Sequence, residues 1–363
     1  MPIHKILILI LFFQSSSLLS QEFDLPAGLK IETFSDQIDG PRQMVQGDRG
    51  TIFVGSRKTG NVYAIQDQDN NGKADVVRKV AENLNQPSGV TFFKGDLFIA
   101  EIDKIWKVSN IESWLNDNPT TYPKLELVSD QLPDDEWHGW KWLEHDNAGN
   151  LYTNIGAPCN VCLKDDPRYA TLVKFDGKDW VIIARGVRNS VGFDFHPETG
   201  ELYFGDNGRD WLGDDKPSCE LNRLTKIGAH YGFPFLHDSS TIDPEFGQIS
   251  HGYSIQKPIL ELGAHVAPTG LTFYDHYALG DEYRNSIFLA LHGSWNRSSK
   301  VGYKVINIKL DGDGNVERVQ DFITGFLSGG EVLGRPAAPL VMANGSLLIS
   351  DDKANKIYII TSI

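Results

Sequence analysis

Along most of the chain, Val, Ile, Phe, Tyr and Leu fall in short runs of four to six residues in which apolar positions alternate with small or polar ones. Each run is closed by Gly, Pro, Asn or Asp. A period of two with β-branched and aromatic residues predicts half-buried strands. One arrangement recurs: a small or proline-containing turn, a strand, a turn, a second strand and often a third. Its clearest copy is Pro87-Ser-Gly-Val-Thr-Phe-Phe93, Asp96-Leu-Phe-Ile-Ala100 and Lys104-Ile-Trp-Lys-Val108. Other copies begin at Gly40-Pro-Arg, Trp137-His-Gly-Trp, Val187-Arg-Asn-Ser, Ala267-Pro-Thr and Gly334-Arg-Pro. A short helix is expected at Asn110 to Asn116, and no amphipathic helix of three turns is visible.

Six copies of a small sheet, none able to bury both faces alone, predict an all-β fold: a six-bladed β-propeller of four-stranded antiparallel blades around a central axis. Leu29-Lys-Ile-Glu-Thr-Phe34, ahead of the first copy, is expected to supply the outer strand of the last blade and close the ring, which also removes exposed sheet edges. In such a blade the chain enters the innermost strand and leaves the second strand at the same face. Residues before strand one and after strand two therefore gather at one mouth of the axis, once per blade.

The N-terminus changes the picture of where this domain works. His4 and Lys5 precede an apolar run of eight residues, Ile6 to Phe13, followed by Ser15 to Ser20. This order predicts a signal peptide over 1–20, cleaved near Ser20, with a single domain over 21–363. The run is far short of the roughly 20 residues that span a bilayer, so no membrane anchor is expected and the destination is periplasmic or secreted. Net charge is −14, which argues against a nucleic-acid partner. Any anionic ligand must then meet a local cluster of Arg and Lys. Of three cysteines, Cys159 and Cys162 suit a structural disulfide in an oxidising compartment; a thioredoxin-like motif would open a helix, and this one follows a strand.

The six positions where the chain enters the mouth are Arg42, Ser88, His138, Arg188, Thr269 and Arg335. The six positions where it leaves are Arg57, Glu101, Gly156 to Cys159, Asp206 to Arg209, His292 to Arg297, and Asp351 to Lys353. Each arginine taken singly could pair with Asp351 or Asp352; as a set they suit a planar polyanion, because guanidinium matches carboxylate bidentately and stays charged. His138, beside Trp137, Trp140 and Trp142, is either a core histidine or a general base for a sugar hydroxyl. The acidic loop Asp206 to Asp215 is either solvated or a calcium site. Asp67-x-Asp69-x-Asn71-Gly72-x-x-Asp75 begins like a calcium loop but lacks the distal Glu, so a hairpin turn is expected; Asp311 to Asn315 reads the same way.

The blocks Trp137-His-Gly-Trp, Gly156-Ala-Pro-Cys-Asn-Val-Cys162, Arg185-Gly-Val-Arg-Asn-Ser, Asp206-Asn-Gly-Arg-Asp-Trp-Leu-Gly-Asp-Asp, Tyr231-Gly-Phe-Pro, His292-Gly-Ser-Trp-Asn-Arg and Ser350-Asp-Asp-Lys resemble the glucose/sorbosone dehydrogenase family, and within it the L-sorbosone dehydrogenase group. The resemblance implies a sugar oxidoreductase that uses pyrroloquinoline quinone, a planar tricarboxylate, with Ca2+ at the axial mouth. His138 matches the family's base, and Arg188 and Asn189 match residues beside the reactive carbonyl. Gly208 and Arg209 match positions whose backbone oxygens hold calcium; the glucose enzymes carry proline at the second. Arg335 matches a carboxylate-binding arginine, with Arg42 and Arg57 as companions, and either Arg297 or Lys300 supplies a further basic contact. The substrate would be an aldose or sugar aldehyde, and electrons would pass to a separate soluble or membrane acceptor. Two alternatives share the fold: a metal-dependent lactonase of the gluconolactonase type, which wants carboxylates around a divalent ion, and a non-catalytic binding propeller.

Overall fold

The structure is a computed structural model that describes residues 21–117 and 119–363; the expected signal peptide over 1–20 lies outside the described residues. Among the described residues there are six sheets of four or five strands, with two small hairpins, Leu236–His237 with Thr241–Ile242 and Leu327–Ser328 with Glu331–Val332. They form the expected six-bladed propeller. The innermost strands of blades one to six are Pro41–Gln46, Gly89–Phe93, Leu143–His145, Phe193–Phe195, Pro268–Tyr274 and Pro336–Val341. Leu29–Ser35 pairs antiparallel with Lys356–Ser362, so the strand ahead of the first copy closes the ring by joining the last blade. The helix is Ile111–Asn116. No helix among the described residues is long and apolar enough to cross a membrane.

Alternation along each strand explains how the blades pack. In Ile52–Ser56, the Phe53 side chain packs against Val90 and Leu97 of blade two, while Ile52 and Val54 on the other face pack against Leu348 and Ile357 of blade six. The same division produces six apolar clusters, one between each pair of neighbouring blades. Burying an aliphatic or aromatic side chain of this kind contributes about 1.5–3 kcal/mol, so each blade depends on both neighbours. Near the axis the backbones themselves meet. A Cβ at Gly192 would lie 1.8 Å from the carbonyl oxygen of Thr269, and one at Gly270 would lie 2.5 Å from the Cα of Ala338; only glycine lets the inner strands converge so closely.

Register sets the mouth. Pro41 faces Ser56, Gly89 faces Ala100, Pro268 faces Leu291 and Pro336 faces Asp351. The start of each inner strand therefore lies beside the end of the second strand, as expected from the chain order. Blades three and four depart from the simple pattern: strand pairing begins only at Leu143 and Phe193, several residues after Trp137 and Val187. Side chains replace the missing ladder bonds there. Asn154 Oδ1 accepts the Trp142 amide at 2.7 Å, and Gln43 Oε1 accepts the Leu143 amide at 2.9 Å. The freed segments carry His138 and Arg188 into the mouth. The Asp67–Asp75 segment is the expected hairpin, joining Val62–Gln66 to Val76–Ala81 at the opposite face. Asp67, Asp69 and Asp75 bring carboxylate oxygens within 4.8 Å of one another there, and their oxygens accept backbone amides of the same turn.

Candidate active site

His138 sits at a left-handed φ of 57° with its ring buried at the mouth. Its Nδ1 lies 2.7 Å from the carbonyl oxygen of Ala157. A carbonyl can only accept, so in the neutral ring Nδ1 carries the proton and Nε2 is the acceptor. Trp137 Nε1 donates to that Nε2 at 3.2 Å. Burial, then the charges of Arg188 and Arg57, push the imidazole down to about 3, which keeps it neutral near pH 7. Gly156 permits this placement: a Cβ there would lie 2.6 Å from both the Cβ and the carbonyl oxygen of His138, and 3.3 Å from Asn189 Oδ1. His138 and Asn189 thus flank the same glycine.

Arg188 and Asn189 are fixed by Asp206, at the end of the neighbouring second strand. Its carboxylate accepts the Arg188 amide at 2.8 Å and the Asn189 amide at 2.7 Å. The Arg188 guanidinium donates to the Asn160 carbonyl at 2.8 Å, to Asn160 Oδ1 at 3.0 Å and to the Asn207 carbonyl at 3.1 Å, and lies 3.4 Å from Asp210 Oδ2. Asn189 Oδ1 is buried without a hydrogen-bond partner. A buried orphan oxygen is costly, and this one points to a donor or cation that completes the site.

Arg42, Arg57 and Arg335 occupy the other side of the opening. Arg42 Nη1 lies 2.6 Å from Asp352 Oδ2, and His292 Nε2 lies 2.8 Å from Asp352 Oδ1. Burial works to raise the Asp352 carboxyl, but His292 and Arg42 outweigh it and hold the group well below the usual range. Arg335 reaches His292 Nδ1 at 3.3 Å, the Ser294 carbonyl at 3.3 Å and the Tyr303 hydroxyl at 3.1 Å. Arg57 lies flat on Trp140, its guanidinium carbon 3.6 Å from the ring centroid, and its Nε donates to Gln86. Among the described residues it has no ion pair. Burial first, then the like charge of Arg42, lowers it to about 10. Four arginines therefore share one opening with His138; Arg42 is paired with Asp352 and Arg188 with Asp210, while Arg57 and Arg335 have no ion pair among the described residues.

Two expected contacts are placed differently from the rest. Arg209 turns its guanidinium to Asp243, which also pairs with His237; this ion pair ties the segment 231–247 to the loop and leaves only the Arg209 backbone for a ligand. Arg297 donates to the Asp214 carbonyl at 2.6 Å and pairs with Asp215 at 3.0 Å, so it clamps two rim loops together. Lys300 donates to the Gly330 carbonyl. Cys159 and Cys162 form the expected disulfide and Cys219 is buried and free. The sequence reading missed Asn160, which sits inside that disulfide loop and bridges Arg188 and Asp210; its only signal was its place on a loop leaving the mouth. Tyr303, far from the recurring motif, carried none.

The TrAA12-like family model matches residues 168–362, more than half of the chain. An uncharacterized protein of Borreliella burgdorferi is 34% identical over 353 residues, covering 92% of this chain and 89% of that protein. Among solved structures, the holo form of the PQQ domain of pyranose dehydrogenase from Coprinopsis cinerea superposes with a TM-score of 0.78 at 18% identity, covering 94% of this chain and 97% of that one. The PQQ-bound aldose sugar dehydrogenase of Streptomyces coelicolor superposes with a TM-score of 0.65 at 15% identity, covering 93% and 99%. At these identities the superpositions speak for the fold.

Proposed function

This chain belongs to the TrAA12-like family, within the glucose/sorbosone dehydrogenases that its motifs resemble, and from that premise we propose that it is a quinone-dependent sugar dehydrogenase. The observation that carries the proposal is the convergence of Arg42, Arg57, Arg188 and Arg335 on the opening that holds His138. Desolvated guanidinium groups around one opening, two of them without an ion pair among the described residues, favour a flat ligand with several carboxylates. Pyrroloquinoline quinone fits that description, and the pyranose dehydrogenase domain and the Streptomyces enzyme are both described as containing it.

Ca2+ fits the oxygen chemistry available. Gly208 and Arg209 offer backbone carbonyls, and Asn189 offers a buried oxygen lacking a partner; carbonyl oxygens are ligands that calcium prefers. The Arg209 charge is neutralised by Asp243 and so does not oppose a cation at its backbone. When bound, the quinone supplies the two-electron acceptor that no side chain provides.

The chain's own residues supply binding, orientation and proton transfer. His138, neutral and with Nε2 as acceptor, takes the proton from the hydroxyl of the sugar carbon being oxidised once that hydroxyl replaces the Trp137 indole N–H at Nε2. Ala157 holds the ring at Nδ1 and stabilises the positive charge that then forms. An anionic cofactor among the arginines offsets the charges that lower the His138 affinity for a proton, so the base becomes stronger once the site is loaded. Arg188 and Asn189 place a cation and an amide where negative charge grows. Export to an oxidising compartment agrees with the Cys159–Cys162 disulfide, and electrons would leave to a separate acceptor. The test is to add the quinone and Ca2+ to purified protein and follow dye reduction with a panel of aldoses. Sugar-dependent reduction that needs both additions is expected; inactivity across the panel contradicts the proposal.

A further inference from the structure

Of the eight tryptophans in the chain, three expose more than half of their surface: Trp137 at 56%, Trp211 at 67% and Trp295 at 66%. All three lie on loops of the same mouth. Trp137 precedes His138 and donates to its Nε2. Trp211 follows Asp210, which reaches Arg188. Trp295 follows Ser294, whose carbonyl accepts from Arg335. Scattered exposed apolar residues are ordinary, but gathered ones mark a binding surface.

The loops that carry Trp211 and Trp295 are also braced against each other. The Trp211 and Trp295 rings meet edge to face, with centroids 5.5 Å apart at 85°. Their loops are tied by Arg297 to Asp214 and Asp215, and by the Ser298 amide to Asp214 Oδ1 at 3.1 Å. Trp211 has a φ of 72°, a left-handed conformation that a bulky side chain adopts at a cost and that clusters at binding sites. Strain and cross-bracing are thus used to keep two indoles in water beside the catalytic opening.

We infer that Trp211 and Trp295 form an aromatic corner for a sugar ring, two indole surfaces at right angles to each other, and that the substrate is an oligosaccharide whose reducing end reaches His138 while a following ring stacks in this corner. The inference rests on the dehydrogenase reading and names its substrate class. A pyranose ring has apolar C–H faces and hydroxyl edges, which suit an amphipathic aromatic surface edged with hydrogen-bonding groups. Asp210, Asp214, Asp215 and Asn296 supply those groups next to the rings.

The test is a tryptophan-fluorescence titration of the quinone-free protein with cellotetraose, xylotetraose and maltotetraose, each against its monosaccharide. At least one tetrasaccharide should bind tenfold or more tightly than its monosaccharide. Trp211→Ala and Trp295→Ala should abolish that advantage, and Trp211→Phe should restore part of it. In the reconstituted enzyme the same chain-length advantage should appear in KM and vanish in the alanine variants. No tetrasaccharide preference overturns the inference. So does an outcome in which the alanine variants leave sugar binding intact and raise only the KM for cytochrome c as electron acceptor, which would make the rim a protein-docking surface. Because the titration needs no quinone, its result is separate from that of the dehydrogenase reading.

Discussion

The Nδ1 of His138 lies 2.7 Å from the carbonyl oxygen of Ala157, and this contact decides which nitrogen of the ring carries the basic lone pair. It fixes the proton on Nδ1 and turns the basic Nε2 to the side where Trp137 lies. Replacing His138 by Gln should lower sugar oxidation by about 10²–10⁴-fold, the usual contribution of a positioned base, with quinone binding retained. Because burial, Arg188 and Arg57 depress the folded-state value to about 3, the unfolded chain takes up this proton before the folded one does. The His138 contribution to the folding stability of the quinone-free protein should therefore be lost with acidification from about 6.5 to about 3, read as the difference between the wild type and His138→Gln. Thermal unfolding across this pH range measures it.

Gly156 offers a test of position rather than chemistry. An added methyl would meet His138 at 2.6 Å on two atoms, so Gly156→Ala must displace the base. A fall in kcat of about tenfold or more is expected, since small misplacements of a catalytic group are costly. The far-ultraviolet circular dichroism should be unchanged. Full activity in this variant would show that His138 is not the base.

Asn160 predicts a role for the disulfide loop. Its side-chain oxygen accepts from Arg188 and from the Asp210 amide at 2.8 Å. A hydrogen bond to a charged group is worth about 1.5–3 kcal/mol, so Asn160→Ala should reduce kcat/KM by about tenfold to a hundredfold. Cys159→Ser, which releases the same loop, should act in the same direction. A Cys159→Ser enzyme with wild-type kinetics would reduce the bridge to a purely structural feature.

A second pH effect comes from below the mouth. Burial, then the neighbouring Asp194, push the Glu144 carboxyl well above the usual carboxylate range, and burial raises Asp194 as well. Here the folded state holds protons that the unfolded state has lost, so the contribution of this pair to stability should decline as pH rises above about 4.5, opposite in sign to that of His138. Glu144→Gln should flatten that decline, as read from melting temperatures at pH 5 and pH 8.5.

Much of this was legible in the sequence because a propeller repeats itself. Six alternating-strand copies located the inner strands, and chain direction alone placed Arg42, Arg188 and Arg335 at one end of the axis. Leu29–Ser35 could be assigned to the last blade because ring closure leaves no other edge for it. What escaped was set by long-range packing. Nothing near Arg209 in sequence announces Asp243, 34 residues away, so its side chain could not be assigned to an ion pair. Tyr303 joins Arg335 from a connection without a motif, and the coming together of Trp211 and Trp295 depends on how two rim loops brace each other.

Guanidinium groups without an ion pair stand at the mouth to receive a flat polyanion, and Arg57 tests this most directly. This residue sits beside Arg42 without an acidic partner of its own among the described residues, a poor arrangement for an empty protein and a useful one for binding. Calorimetric titration of pyrroloquinoline quinone with Ca2+ should give saturable binding of one molecule per chain in the wild type. Arg57→Gln should bind at least tenfold more weakly while the quinone-free protein melts at the same or a higher temperature, the trade of stability for function expected of a binding residue. Undiminished quinone affinity in Arg57→Gln together with a lower melting temperature would mean that the arginine serves the fold, and would contradict the account.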